Sequence, residues 1–233
     1  MIAVITGATQ GIGRATAIRF AKEKFDLIIT ARNSDDLQKV KSEIEKEYSV
    51  KVFSASADFA KLEDAQKFGE FVRSTTNKVD VLVNNVGQYM VGDLFENSTD
   101  KFQEQINVNL LSAHVLTEAL MPIFKSQKQG HIFTIGSLLS FKLRESAAFY
   151  TITKHAIRTW NQLLFEYTRD FGVKATLVMP SSTLTASWGD QPNKEEFIQP
   201  TDIADSIYNC YQLPGASVVD EISIRTITKN LEG

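Results

Sequence analysis

"TGATQGIG", Thr6–Gly13, follows the apolar run Ile2–Ile5 and leads into a stretch with helical periodicity. Gly7, Gly11 and Gly13 let a chain leave a strand, turn tightly and enter a helix whose free N–H groups and positive dipole end favour a phosphate. In that reading the glycines permit the turn, the close approach of a pyrophosphate and tight packing of helix against strand. An ordinary glycine-rich turn between strand and helix has the same look, so the motif needs support from elsewhere in the chain. Its spacing, G-x-x-x-G-x-G, differs from the commoner G-x-G-x-x-G.

Working outward, short β-branched runs alternate with longer amphipathic stretches. Strands are predicted at Ile2–Ile5, Leu27–Thr30, Val52–Ala55, Val79–Val83, His131–Ile135, Lys174–Val178 and Glu221–Arg225, with helices at about 11–22, 35–47, 61–76, 99–126, 149–171 and 201–211. Strands joined by helices imply right-handed crossovers and a parallel sheet covered on both faces, a doubly wound α/β (Rossmann) fold. Ligands of such sheets bind beyond the carboxyl ends of the strands, where the winding reverses. No repeat, low-complexity tract or linker interrupts the pattern, and the 233 residues are read as one domain, 1–233.

Composition narrows the partners. A net charge of -3 and a pI near 5.7 offer no basic field for nucleic acid or an anionic membrane surface. No run approaches the length of a membrane span, and no signal segment opens the chain, so a cytoplasmic protein is expected. Cys210 is the only cysteine, which excludes an intrachain disulfide or a thiolate metal cluster. His114, His131 and His155 fall on different elements without ligand spacing, and no metal is expected.

Tyr150 and Lys154, four apart on a predicted helix, lie on one face with β-carbons about 5–6 Å apart. A phenol is a poor acid–base group at neutral pH unless a fixed positive charge holds its pKa down, and Lys154 is positioned to supply that charge. Tyr150 could then give a proton to a carbonyl oxygen as hydride reaches the carbon, or take it back in reverse. Ser137, ending the fifth strand, would hydrogen-bond the same oxygen.

Four further pieces accompany the glycine turn: "NNVG" at Asn84–Gly87, "NVNL" at Asn107–Leu110, "IGS" ending at Ser137 and "YTITK" at Tyr150–Lys154. Together they resemble the short-chain dehydrogenases/reductases of single-domain type, in order and spacing, from Ile2 to about Thr185. Two positions depart from the family pattern: Val86 replaces the usual alanine of "NNAG", and Ser181 replaces the glycine after the proline of the sixth strand. The resemblance implies an oxidoreductase interconverting a carbonyl and an alcohol, with Asn109 completing a catalytic tetrad by holding a water that reaches Lys154. It further implies a nicotinamide cofactor bound by Gly7, Thr9, Gln10, Gly11, Ile12, Gly13, Asp58 near the adenine, Asn84, Tyr150, Lys154 at the ribose, and Pro180. A homodimer or homotetramer is implied as well.

Cofactor choice turns on "IITARNSDD" after the second strand. NAD-preferring enzymes present an acid there, whereas a 2′-phosphate needs that acid absent and a cation nearby. Here the slot holds Ala31 and then Arg32, which predicts NADP(H) over NAD(H), with Asn33 and Ser34 assisting and Ser34 capping a helix whose first turn carries Asp35 and Asp36. The stretch 181–199 is read as a short substrate lid. Leu139, Phe141, Tyr89, Met90 and Trp188 are placed to wall a pocket for an apolar or aromatic carbonyl compound. Two alternatives remain at this level. One is a redox sensor that binds NADP without turnover, which would typically lack the Tyr or the Lys. The other is a sugar-nucleotide epimerase or dehydratase, which would carry TGxxGxxG and a larger C-terminal lobe.

Overall fold

The computed structural model describes residues 1–185 and 193–228. Seven strands form one sheet: β1 (Ile2–Thr6), β2 (Asp26–Thr30), β3 (Val52–Ser54), β4 (Val81–Asn84), β5 (His131–Ile135), β6 (Lys174–Pro180) and β7 (Glu221–Ile224). All pairings are parallel, in the order β3-β2-β1-β4-β5-β6-β7. The chain winds outward from β1 to β3, then returns to β4 on the other side of β1, so the switch point lies between β1 and β4.

The helices are α1 (Gly11–Lys22), α2 (Ser34–Tyr48), α3 (Leu62–Thr75), α4 (Thr99–Ile106), α5 (Ser112–Gln127), α6 (Ala148–Arg169) and α7 (Pro200–Tyr211). They cover both faces. On one face Phe20, Leu37, Ile44 and Ile203 pack against Ile5, Leu27 and Ile29 of the central strands; on the other, Phe68, Val72, Leu116, Leu120 and Phe124 pack against Val4, Ile28 and Leu82. Burial of alternate strand residues on opposite faces is why the inner strands read as continuous apolar runs rather than as alternating ones. Removing a buried Leu or Phe from either layer would cost several kcal/mol, about 2–5 by the usual range for core truncations. Each strand predicted from sequence is present, with ends differing by at most two residues.

One predicted helix is built differently. The stretch 99–126 is α4 and α5 joined by a π-helical turn, Asn107–Leu111. The wider turn inserts an extra residue into the ladder and re-aims the side chains around Asn109, the residue that matters most there.

Candidate active site

The glycine turn leaves β1 at its carboxyl end, beside the switch point. Gly7 (φ +66°) and Gly11 (φ +54°) adopt left-handed backbone that favours glycine. Gly13 is needed for space: a β-carbon there would lie 2.1 Å from the Gly7 carbonyl oxygen and 2.5 Å from Asn85 Nδ2. Gln10, preceding α1, makes no side-chain cap, so the first-turn N–H groups of α1 are unspent by side chains. A glycine-lined hollow ending on an uncapped helix N-terminus suits a pyrophosphate. Thr9 and Gln10 sit in the turn, and Ile12 anchors it by packing on the core.

Two residues that lie within the quoted motifs, but have no role in the sequence reading, hold this turn in place. Thr6 Oγ1 accepts from the backbone N–H of Asn85 (2.9 Å) and Val86 (3.1 Å), and Asn85 Nδ2 donates to the Thr6 carbonyl (2.8 Å). β1 and the loop after β4 are thereby stitched together across the switch point. Asn84, expected to line the cofactor cleft, ends β4 with its side chain buried and Nδ2 donating to Thr117 Oγ1 of α5 at 3.0 Å. It is Asn85, one residue on, that reaches the glycine turn.

At the far end of the groove Ala31 is buried and Arg32 is exposed, with no ion pair among the described residues. The helix cap is Asn33, not Ser34: Asn33 Oδ1 accepts from the N–H groups of Asp35 and Asp36 at 2.9 and 3.0 Å, and Ser34 is the first helical residue. An asparagine oxygen one bond further from the backbone spans to those amides, which a serine already inside the helix cannot do. Asp58 lies close by in chain terms, since the N–H of Ala57 donates to the Ala31 carbonyl at 3.1 Å and joins the two loops.

At the carboxyl ends of β5 and β6 the remaining predicted residues come together. Ser137 follows β5, its Oγ accepting from the Leu139 N–H at 3.1 Å, and its hydroxyl lies near enough to Tyr150, in the first turn of α6, to favour the charged form of the phenol. Lys154, 3% exposed, donates from Nζ to the Ile135 carbonyl at 2.9 Å and lies 5.5 Å from the centre of the Tyr150 ring. Asn109, also 3% exposed, is fully engaged: Oδ1 accepts from the Gln88 N–H (2.7 Å), and Nδ2 faces the Gln88 carbonyl (3.1 Å), Gln105 Oε1 (3.0 Å) and Thr153 Oγ1 (3.1 Å). A β-carbon on Gly87 would fall 3.3 Å from Lys154 Nζ and 3.4 Å from Asn109 Oδ1, so these two polar groups flank one bare stretch of backbone. Pro180 ends β6 on the same edge of the sheet.

The electrostatics depart from the sequence reading in one respect. Lys154 is expected to hold the Tyr150 phenol low, yet the phenol is pushed up to about 12. Enclosure of the hydroxyl end dominates; the nearby Ser137 hydroxyl opposes it, Tyr89 adds to it and Arg144 opposes it. The ammonium of Lys154 is occupied by the Ile135 carbonyl rather than by the phenol oxygen, and burial brings its own pKa down to about 8. At neutral pH the site therefore holds a protonated tyrosine beside a charged lysine.

A family model described as short chain dehydrogenase matches residues 1–196. The chain belongs to this family. It is an oxidoreductase of the short-chain dehydrogenase type, with a Rossmann-like sheet. It is 30% identical to a sepiapterin reductase of Chlorobaculum tepidum over 240 residues, covering 99% of this chain and 98% of that one. An uncharacterised oxidoreductase of Staphylococcus aureus is 29% identical over 229 residues, 97% of each chain. Among solved structures, an alcohol dehydrogenase from Thermococcus sibiricus complexed with 5-hydroxy-NADP superposes with a TM-score of 0.90 at 30% identity, covering 97% and 96% of the two chains. A metagenomic short-chain oxidoreductase in complex with NADP superposes at 0.86 with 28% identity and 98% coverage of both.

The family's two departures have local explanations here. Ser181 Oγ accepts from the Thr226 N–H at 3.0 Å, a tie to the chain after β7 that glycine could not make, and Val86 packs its side chain on the core. The histidines are held in structural contacts: His114 Nδ1 accepts from Trp160 Nε1 (3.3 Å), His131 Nε2 pairs with Thr176 Oγ1 (2.7 Å), and His155 Nδ1 faces the Thr151 carbonyl (3.0 Å). Of the expected pocket wall, Leu139 is buried beside Ser137, Met90 is half-buried, and Phe141 and Tyr89 are exposed. Trp188 and residues 186–192 of the expected lid lie outside the described residues. The ends of that segment meet, Leu184 N–H donating to the Ile198 carbonyl (2.8 Å) and Ile198 N–H to the Ser182 carbonyl (3.1 Å). Among the described residues no helix is long and apolar enough to cross a membrane.

Proposed function

We propose that this protein is an NADP(H)-dependent carbonyl reductase, interconverting a ketone or aldehyde with an alcohol. The observation that carries the reading is the convergence of the Ser137 and Tyr150 side chains, next to buried Lys154, on the sheet edge that also bears the glycine turn. Gly7, Thr9, Gln10, Gly11, Ile12 and Gly13 would hold the pyrophosphate, Asp58 and Arg32 the adenosine end, and Lys154 with Pro180 the nicotinamide end. When bound, the reduced cofactor supplies a hydride to the carbonyl carbon. The carbonyl oxygen rests between the Ser137 and Tyr150 hydroxyls, and Tyr150 delivers its proton to that oxygen as negative charge grows on it.

The high phenol pKa favours this direction, because Tyr150 reaches the reaction with its proton in place. In the reverse direction the same oxygen must first lose that proton, and the Lys154 charge assists. Arg32, exposed and without a carboxylate partner among the described residues, supports a preference for the 2′-phosphate; the solved relatives complexed with NADP and 5-hydroxy-NADP support the same choice. The test is a panel of ketones and aldehydes with NADPH, followed by the absorbance of the reduced nicotinamide. Tyr150→Phe is expected to abolish turnover while NADPH binding is nearly kept; a variant retaining more than about a tenth of the wild-type rate would refute the assigned acid.

A further inference from the structure

Tyr89 is a large aromatic side chain left 44% exposed, directly beside the proposed proton donor. Its ring meets that of Tyr150 edge to face, with centroids 5.0 Å apart and planes at 75°. The placement is braced. Asn109 holds both the N–H and the carbonyl of Gln88, the residue before Tyr89, and its Nδ2 also reaches Thr153 Oγ1, which in turn donates to the Tyr150 carbonyl at 2.8 Å. One buried amide thus ties the backbone that presents Tyr89 to the helical turn that presents Tyr150. The distance between the two rings is set by the core and not by the surface loop alone.

A carbonyl compound with its oxygen at the Ser137 and Tyr150 hydroxyls must direct one of its two substituents along the Tyr89 side. A planar, aromatic substituent there gains edge-to-face or offset contact with the ring as well as burial of area; a saturated ring of the same size gains the area alone. We infer that Tyr89 is a specificity-determining residue, an aromatic shelf that makes aryl or otherwise flat, conjugated ketones the preferred substrate class. This rests on the reading of Tyr150 as the acid that protonates a carbonyl oxygen.

The test compares phenyl methyl ketone with cyclohexyl methyl ketone, matched in size and differing in planarity, using the full chain and NADPH. The ratio of their kcat/KM values is expected to favour the phenyl compound and to fall about threefold to tenfold in Tyr89→Leu, which keeps apolar bulk without a ring. Tyr89→Phe is expected to keep the ratio within about twofold, since the ring remains and only the hydroxyl is lost. A melting curve for each variant reports whether it folds, and Tyr89→Trp, which enlarges the ring, is expected to hold or raise the ratio even if the leucine variant is unstable. An unmoved ratio in Tyr89→Leu, or parallel loss of both ketones, overturns the shelf: the first removes Tyr89 from the substrate, the second makes it a prop for Tyr150. A wild-type protein that reduces neither ketone nor any aldehyde overturns the reductase reading, and the shelf with it.

Discussion

Replacing Thr6 with valine tests how much of the site rests on one hydroxyl. Thr6 is 1% exposed, and its Oγ1 accepts from the Asn85 and Val86 N–H groups at 2.9 and 3.1 Å while donating to the Val83 carbonyl at 3.4 Å. Valine matches the shape and leaves two partly buried N–H groups without an acceptor. At about 1–2 kcal/mol for each, with the long third bond neglected, the variant should lose about 2–4 kcal/mol of stability. That corresponds to a fall in Tm of about 4–16 °C for a chain of this size. Tyrosine and tryptophan fluorescence through a urea titration measures the stability, and NADPH titration measures the site. Affinity should fall along with stability, because the loop after β4 and the glycine turn lose their shared anchor. Thr6→Ser keeps the hydroxyl and is the control, losing only a methyl group, about 1 kcal/mol. If valine and serine variants unfold at the same urea concentration and bind NADPH equally, the hydroxyl does not stitch the switch point and the reasoning fails.

Three further outcomes are expected. NADPH should bind more tightly than NADH by roughly 1.5–3 kcal/mol, from a charge-assisted contact to the phosphate, and Ala31→Asp combined with Arg32→Ser should move the preference toward NADH; equal affinities for the two cofactors in the wild type would remove Arg32 from the site. Because burial lowers the Lys154 pKa to about 8, its charge is present below that pH and lost above it, so kcat/KM for reduction should decline on the alkaline side of pH 8. Lys154→Arg, whose charge persists, should lack that limb whatever its absolute rate. Burial, with a smaller contribution from Lys174, pushes His131 down to about 3, so the folded protein keeps it neutral; its contribution to stability is present above about pH 6.5 and is lost as pH falls toward 3. The slope from this group is about 1.4 kcal/mol per pH unit, and the difference in urea midpoint between pH 7 and pH 5 should shrink in His131→Leu.

Much of the architecture is legible locally. The apolar runs of β1, β2, β4, β5 and β6 stand out because strands buried on both faces need apolar residues at every position, and the glycines of Thr6–Gly13 stand out because few other residues tolerate left-handed backbone or the approach of Gly7 to α1. The pairing of Tyr150 with Lys154 follows from helix periodicity, which any sequence displays. Four matters were decided only by the tertiary structure. Asn85 and Thr6, 79 residues apart, meet because β1 and β4 are neighbours in the sheet, so the identity of the asparagine that grips the turn depends on strand pairing. Asn109 points into the site because a π-helical turn shifts the ladder by one residue, and that shift leaves no mark in a 3.6-residue pattern. The helix cap fell to Asn33 over Ser34, one position apart and equally good in composition, because backbone geometry chooses which is half outside the helix. Finally, the protonation balance of Tyr150 and Lys154 reverses the expectation from spacing: enclosure raises the phenol and the Ile135 carbonyl claims the ammonium, and both depend on what the rest of the chain places around the pair. Local periodicity specifies which residues share an element; desolvation and long-range hydrogen bonds, which exist only once the elements have packed, specify what those residues are able to do.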